Sequence, residues 1–295
     1  MVGTCKCQLI PVSIDSSKVL LIDTPKLDDS SGTDSDVLTE IAKILCAQHN
    51  LGIQLKGVIY IHQITDIRYI RTATKTLDIL DRICGQEALK NVLLVTFQWD
   101  SVDPVLGAAR EQELRHTFWA YMVGHGSNMA RFEGTRSSAV ALISQLLDKD
   151  DVVLQLQKEL LDEVKLLGKT EAGAYVSDYL EKEKQQHEEE LASLERLKQD
   201  LATNDRAMTR QVQVEREHVS AALRMIQNEQ LGLQHPIGIE VRREIAQKRG
   251  GLPEDAPYAL IATNILTAFA TVPPGLSKIL TEWFDDRTSG DIPSR

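Results

Sequence analysis

This sequence of 295 residues lacks the features that several large classes of protein require. Aromatic residues make up only 5% of the chain, so its core must be built mainly from Leu, Ile, Val and Ala. Positive charge is not in excess, and a formal net charge of −10 argues against non-specific binding to nucleic-acid phosphates. No apolar run reaches the roughly 18–20 residues that a membrane span needs. The least polar stretch, 258–272, contains four Thr or Asn residues and predicts a packed helix.

Cysteine is scarce as well, and its spacing does not suit a metal site. The four cysteines, Cys5, Cys7, Cys46 and Cys84, include no C-x-x-C pair. Cys5 and Cys7 fall on one face of a predicted strand, which is a poor start for a four-ligand zinc site. We therefore expect reduced, structural thiols. The first nine residues are too short and too polar for a signal-peptide core, and together these features predict a cytoplasmic protein.

A further absence is the phosphate-binding loop Gly-x-x-x-x-Gly-Lys-Ser/Thr, which occurs nowhere in the chain. Two apolar runs nevertheless end in an aspartate-containing turn. The run 19–22 ends at Asp23, and the run 91–95 leads through a short segment to Asp100. Ligands of open parallel sheets bind beyond the carboxyl ends of the strands. Both aspartates are therefore candidate site residues.

The order of the periodic segments predicts an α/β domain. We expect a β-hairpin over 6–22, strands over 57–64, 90–96 and 129–132, and helices from about 36 and over 72–84, 111–123 and 137–147. The strands are almost continuously apolar, which indicates a mainly parallel sheet covered by helices on both faces. The antiparallel hairpin is expected at one edge of that sheet.

The second half of the chain has a different pattern. From 181 to 229 it is rich in Glu, Lys, Gln and Leu and contains neither Pro nor Gly. This pattern predicts one long helix with an imperfect heptad seam, which either pairs with a second helix in a coiled coil or folds back on its own domain. The segment 250–257 predicts a linker, after which a small helical piece and a polar tail follow.

Taken together, the motifs resemble the AIG1-like G-domain proteins that are common in fungi, a septin- and Toc-related family of P-loop GTPases. The match is carried by Leu-Ile-Asp-Thr-Pro at 21–25, which resembles the third G motif, and by Val-Thr-Phe-Gln-Trp-Asp at 95–100, which resembles the fourth. The segment 131–137 resembles the region around the last strand. The resemblance covers roughly residues 4–230.

This resemblance implies a fold and a domain division. The fold is an incomplete, mainly parallel sheet of the P-loop GTPase type with flanking helices, followed by a long C-terminal helix or coiled coil. Residues 1–149 would form a truncated G domain, residues 150–232 a long helical or coiled-coil region, and residues 233–295 a linker, a small helical segment and a polar tail.

The resemblance also implies GTP or GDP and Mg²⁺ as cofactors. The implied nucleotide-binding residues are Asp23, Thr24, Lys26, Thr96, Trp99 and Asp100, the implied Mg²⁺ ligands are Asp23 and Thr4, and no residue receives a catalytic role. Asp100 would accept hydrogen bonds from the N1–H and the exocyclic amine of guanine, a donor pair that adenine lacks.

The residues themselves leave alternatives open. Asp23 also suits a turn cap, and Asp100 suits an N-cap for the segment that begins at Ser101. Trp99 either covers a base or packs beneath it. Lys26 either contacts phosphate or marks a degenerate loop.

Two departures from the family bear on function. The phosphate loop is missing, and Lys26 stands where these GTPases carry Gly. The Lys and backbone amides of that loop supply most of the phosphate affinity. We therefore expect weak GTP binding and little hydrolysis, which would be attack of water on the γ-phosphate. The alternative is a non-catalytic scaffold or interaction module that acts through its long helix, by self-association or with a protein partner.

Overall fold

A computed structural model describes residues 6–27, 32–66, 71–200, 206–253 and 255–288. The described strands are β1 Gln8–Ile14, β2 Ser17–Asp23, β3 Val58–Gln63, β4 Val92–Phe97 and β5 Asn128–Arg131. The described helices are α1 Asp34–Asn50, α2 Arg71–Cys84, α3 Pro104–Glu113, α4 Ala120–Gly124, α5 Arg136–Leu147, α6 Gln155–Gln157, α7 Glu171–Asp200, α8 Arg206–Gly232, α9 Ile237–Gly250, α10 Tyr258–Phe269 and α11 Ser277–Thr288. The result is a mixed α/β structure.

The N-terminal hairpin forms as predicted. β1 and β2 pair antiparallel up to Ile14 and Ser17, and Asp15 turns the chain with a φ of 51°. The outer edge of β1 is covered by the distant C-terminal segment. Thr271 accepts a hydrogen bond from the amide of Leu9 at 2.8 Å and donates one to the carbonyl of Cys7 at 2.8 Å. The hairpin is thereby fixed to the segment around Thr271.

The parallel sheet has the strand order β3-β4-β5 in the described structure. β4 is buried along almost its whole length, as its apolar run predicts. The expectation of one sheet with the hairpin at its edge is wrong. Among the described strands, β1 and β2 form a sheet of their own: β1 pairs with the segment around Thr271, and no strand pairing joins β2 to β3. On the edge strand β3, Ile61 keeps 60% of its surface exposed.

The helix predicted over 111–123 begins earlier in the structure. Asp103 caps α3 by accepting hydrogen bonds from the amides of Val105 and Leu106, and Pro104 occupies the first helical position. Proline suits this position because its missing N–H would have no partner there. A π-helical turn from Leu114 to Phe118 then leads into α4.

The region predicted as one long helix consists of two, α7 and α8, which pack against each other. We call this pair the helical arm (residues 171–200 and 206–232). Glu195 pairs with Arg216 at 2.7 Å, and Glu181 accepts a hydrogen bond from Gln230 at 2.9 Å, so the two helices run antiparallel. The apolar seam of a lone helix in water needs a partner. Here a second helix of the same chain supplies it.

One large apolar core joins the three predicted segments, and a smaller cluster lies between β4 and α5. The members of the large core come from all three predicted segments: Leu9, Leu38 and Leu89 from the first, Leu160 and Val176 from the second, and Leu233, Ala262 and Phe284 from the third. The prediction of a packed helix near 258–272 is confirmed by α10, four of whose residues are buried. Among the described helices, none is long and apolar enough to cross a bilayer.

A charged cluster lies where the arm meets α1 and α2. Lys75 of α2 pairs with the buried Asp34 of α1 at 2.6 Å, and its ammonium lies 3.5 Å above the ring of Tyr179 of α7. The hydroxyl of Ser35 donates to the backbone carbonyl of Glu229 at 3.0 Å. Burial raises the pKa of the Glu229 carboxyl to about 7, and the carboxylate of Asp34 adds to the effect.

We expect Glu229→Gln to make the stability of the protein less dependent on pH. Because the folded-state pKa of Glu229 lies above its ordinary value of 4.5, the folded state binds the proton more tightly than the unfolded state. This group therefore lowers stability as pH rises from about 4.5 to about 7. The variant should raise the melting temperature at pH 8 and leave it nearly unchanged at pH 4.5. Thermal unfolding at both pH values is the measurement, and Glu188→Gln, on an exposed part of α7, is the matched control.

Candidate functional site

The three parallel strands end at one edge of their sheet, where ligands of such sheets bind. Hydrogen bonding continues one residue past the strands. The amide of Ile64 donates to the carbonyl of Phe97 at 3.0 Å, and the amide of Phe132 donates to the carbonyl of Thr96 at 2.8 Å. The chain segments that follow β3, β4 and β5 are therefore held close together at this carboxyl edge.

Trp99 is fixed inside this edge. Its indole N–H donates to the hydroxyl of Thr96 at 3.1 Å, and Thr96 is completely buried. The guanidinium of Arg131 lies 3.8 Å from the centroid of the Trp99 ring. A side chain at Gly107 would bring its Cβ to 3.0 Å from Cζ3 of the same ring, so glycine permits α3 to pack closely there. The structure thus uses Trp99 and Thr96 as internal supports of the edge.

Arg131 is itself held by a two-pronged ion pair. Its Nε donates to Oε1 of Glu111 at 2.8 Å and its Nη2 donates to Oε2 at 2.5 Å. The hydrogen bonds to Glu111 raise the pKa of Arg131 above its usual value. Because Glu111 belongs to α3 and Arg131 ends β5, this pair joins the helix to the sheet across the Trp99 ring.

The turn after β4 presents Asp100 to solvent. We call residues 98–101 the β4 turn. Gln98 adopts a left-handed conformation with φ 65° and ψ 38°, and its side-chain oxygen accepts a hydrogen bond from Thr65 at 2.9 Å. Asp100 is exposed, and within the described part of the chain no hydrogen bond or ion pair engages its carboxylate. The alternative that Asp100 caps a helix is wrong, because Asp103 caps α3.

The residues after β2 form a second group, the β2 loop (residues 23–27). Asp23, Thr24 and Lys26 are exposed, whereas the residues between and after them, Pro25 and Leu27, are buried. The loop thus buries two apolar residues, whereas its three polar residues are exposed. The predicted Mg²⁺ ligand at position 4 lies outside the described residues.

His62 is a residue of the parallel sheet whose pKa is influenced by a charge of the β2 loop. It is buried near the end of β3, with its ring edge-on to Trp119 at a centroid distance of 5.9 Å. Burial lowers the pKa of His62; the positive charge of Lys26 acts in the same direction, while Asp66 opposes it. The pKa of His62 thus responds to a charge in the β2 loop, which follows a strand of the other sheet.

Several residues of this edge gave no local signal in the sequence. Glu111 and Arg131 are 20 positions apart, and Thr65 and Gln98 are 33 apart. Neither pairing follows from a helical or strand period. Arg131 fell within the segment that resembles the family, but its role in holding Trp99 depends on tertiary packing.

Comparison with known proteins adds no assignment. No protein-family model and no curated protein matches this chain. Among the described residues, no group of three or more His, Cys, Asp or Glu side chains is placed to hold a metal ion. The function must therefore be inferred from the carboxyl edge and the β2 loop.

We expect Arg131→Lys to destabilise the carboxyl edge although it conserves the charge. Lysine cannot make the two-pronged contact to Glu111 and lacks a planar group to stack on Trp99, so the free energy of unfolding should fall by about 1 kcal/mol. Urea unfolding followed by tryptophan fluorescence measures the change. Arg115→Lys, on an exposed part of the π-helical turn, is the control and should change stability by less than about 0.5 kcal/mol. Equal effects of the two substitutions would contradict the role given to Arg131.

Proposed function

We propose that this protein binds guanine nucleotides at the carboxyl edge of its parallel sheet, as a domain of the P-loop GTPase type with little or no hydrolytic activity. The observation that carries the proposal is the exposed carboxylate of Asp100, held on a turn that is fixed on both sides. Gln98 ties this turn to Thr65, and Trp99 ties it to Thr96. A left-handed conformation at a residue other than glycine costs free energy, and such positions cluster at functional sites.

The chemistry of a carboxylate suits guanine. Guanine presents its N1–H and its exocyclic amine side by side, and a carboxylate accepts from both, whereas adenine offers no such pair of donors. A turn that is already fixed loses little conformational entropy when it binds. Asp100 would therefore read the base, with Thr96 and Trp99 supporting the turn beneath it.

The β2 loop provides only some of the groups that the phosphates of the ligand require. Mg²⁺ that arrives with phosphates needs one or two protein carboxylates, and Asp23 offers one. Lys26 offers a cation for phosphate oxygens. Thr24, which is also exposed, lies between Asp23 and Lys26 in the sequence. One lysine in place of a cradle of backbone amides gives weak phosphate affinity. This is why we propose binding without efficient hydrolysis.

The strand arrangement supports the same proposal. Among the described strands, β2, β3 and β5 each leave one edge unpaired. The resembled fold carries its phosphate-loop strand beside the strands that β2 and β3 would represent. Unpaired edges expose backbone N–H and C=O groups that favour a further strand.

A second candidate function is that of an interaction module without nucleotide. It is favoured by the β2 loop, where Lys26 replaces the glycine of the family, and by the helical arm, which carries exposed apolar side chains. Under this alternative the carboxyl edge is a structural remnant, and the arm performs the function.

We expect Asp100→Asn to change the base preference of the site from guanine to xanthine. An amide donates where the carboxylate accepts, and xanthine carries an oxygen where guanine carries its amine. The variant should bind GDP at least about tenfold more weakly and bind xanthosine diphosphate more tightly than the parent does. Calorimetric titration of the whole chain with GDP, xanthosine diphosphate and ADP measures this. Glu113→Gln, which removes one exposed charge from α3, should leave all three affinities unchanged. GDP affinity that is equal in Asp100→Asn and in the parent would refute the proposal.

We expect Lys26→Met to weaken binding of the phosphates but not of the base. Loss of one cation near the phosphates should lower GDP affinity several-fold at low salt, and less at high salt because exposed charges are screened. Guanosine should bind the variant and the parent alike. Lys169→Met is the control, since Lys169 is also exposed but stands in a Gly-Lys-Thr segment that folds as a short 3-10 turn before α7.

A further inference from the structure

α8 carries two apolar stripes, of which one is buried. Val212, Val219 and Ile226 are spaced by seven residues, are at most 6% exposed, and lie on the side of α8 that packs in the arm. Val214 and Met225 keep 59% and 60% of their surface exposed on the same helix. Isolated exposed apolar side chains are common on protein surfaces. Exposed apolar side chains indicate an interaction surface only when they share one face of the helix.

The exposed positions line up along one face. Positions 214 and 225 differ by eleven residues, which in an α-helix is a rotation of about 20° and a rise of about 17 Å. His218 and Ala221 lie between them at the same face and are also exposed. We call Val214, His218, Ala221 and Met225 the outer stripe. It is turned by roughly 140° from the buried seam, so the packing of the arm leaves it uncovered.

The charges beside the outer stripe are complementary to a reversed copy of themselves. Glu217 and Arg224 are exposed and lie seven residues apart on the same flank of the stripe. Two α8 helices pairing antiparallel about a point between positions 219 and 220 would set Val214 opposite Met225 and His218 opposite Ala221. Glu217 of each copy would then lie close to Arg224 of the other. A twofold axis makes every such contact occur twice.

We propose that the outer stripe is the interface through which two copies of this chain associate, with their α8 helices antiparallel, so that the two arms lie side by side as a row of four helices with α8 next to α8. A second copy is the occupant because the stripe fits its own reverse both in side-chain size and in charge. This association does not depend on nucleotide binding. The interface is one short stripe per copy, so the dimer is in the micromolar range of affinity.

Sedimentation equilibrium of the whole chain over a range of concentrations tests the proposal. The parent should show a monomer–dimer equilibrium, and Val214→Glu combined with Met225→Glu should weaken it at least about tenfold. Leu231→Glu is the matched control, because Leu231 is 66% exposed on the same helix but is turned roughly 100° from the stripe. It should leave the equilibrium unchanged. A parent that stays monomeric at about 1 mM, or a stripe variant that associates like the parent, overturns the proposal.

A charge exchange tests the antiparallel register. Glu217→Arg alone and Arg224→Glu alone each bring like charges together across the axis and should weaken the dimer. The double variant restores two opposite pairs and should recover the parent affinity. A double variant weaker than both single variants overturns the register. Thermal unfolding checks that each variant folds. If Val214→Glu with Met225→Glu lowers the melting temperature, Val214→Gln with Met225→Gln is tested instead.

Discussion

Burial of one stretch of α1 on every side is the constraint on which the rest of the structure depends. Five consecutive residues, from Ile44 to Gln48, are buried, and five positions cover the whole circumference of a helix. α1 packs against α6, α7, α8, α9 and α10. The polar side chain of Gln48 is satisfied inside this packing, where it accepts a hydrogen bond from Gln157 at 2.8 Å and donates to the carbonyl of Ile53. Residues from three predicted segments must therefore fold together.

The same packing decides where the two halves of the candidate site lie. The hairpin is held by the segment around Thr271, far along the chain, and so belongs to the C-terminal side of the core. The β4 turn belongs to the parallel sheet, whose strands run in one direction and end at one edge. His62, influenced by Lys26, shows that the two halves come within electrostatic reach of each other. Two separate sheets thus present the carboxylates of Asp23 and Asp100.

The sequence predicted the local elements well because each rests on a short-range signal. Hairpin, parallel strands and most helices follow from periods of two or 3.6 residues and from turn residues between them. Two of the errors are local, because the start of α3 at Pro104 and the division of the long helix into α7 and α8 were both missed. The third concerns contacts between distant positions, such as the pairing of β1 with Thr271 and the separation of the hairpin from the parallel sheet. In the site, Asp23 and Asp100 were found from strand ends, whereas the supports of the β4 turn, such as Arg131, were not. The periodicity of a segment shows which of its faces is apolar, but it does not show which distant side chain contacts that face.

The arm is not an appendage that moves freely from the candidate site. α1 begins at Asp34, a few residues after the β2 loop, and Asp34 pairs with Lys75, whose ammonium lies over the ring of Tyr179 in the arm. Since the side chain of Asp34 is 7% exposed and that of Lys75 is 14% exposed, separating this pair would leave two charges poorly solvated. α1 itself cannot shift without opening the core around it. We therefore expect the base of the arm and the start of α1 to behave as one rigid unit.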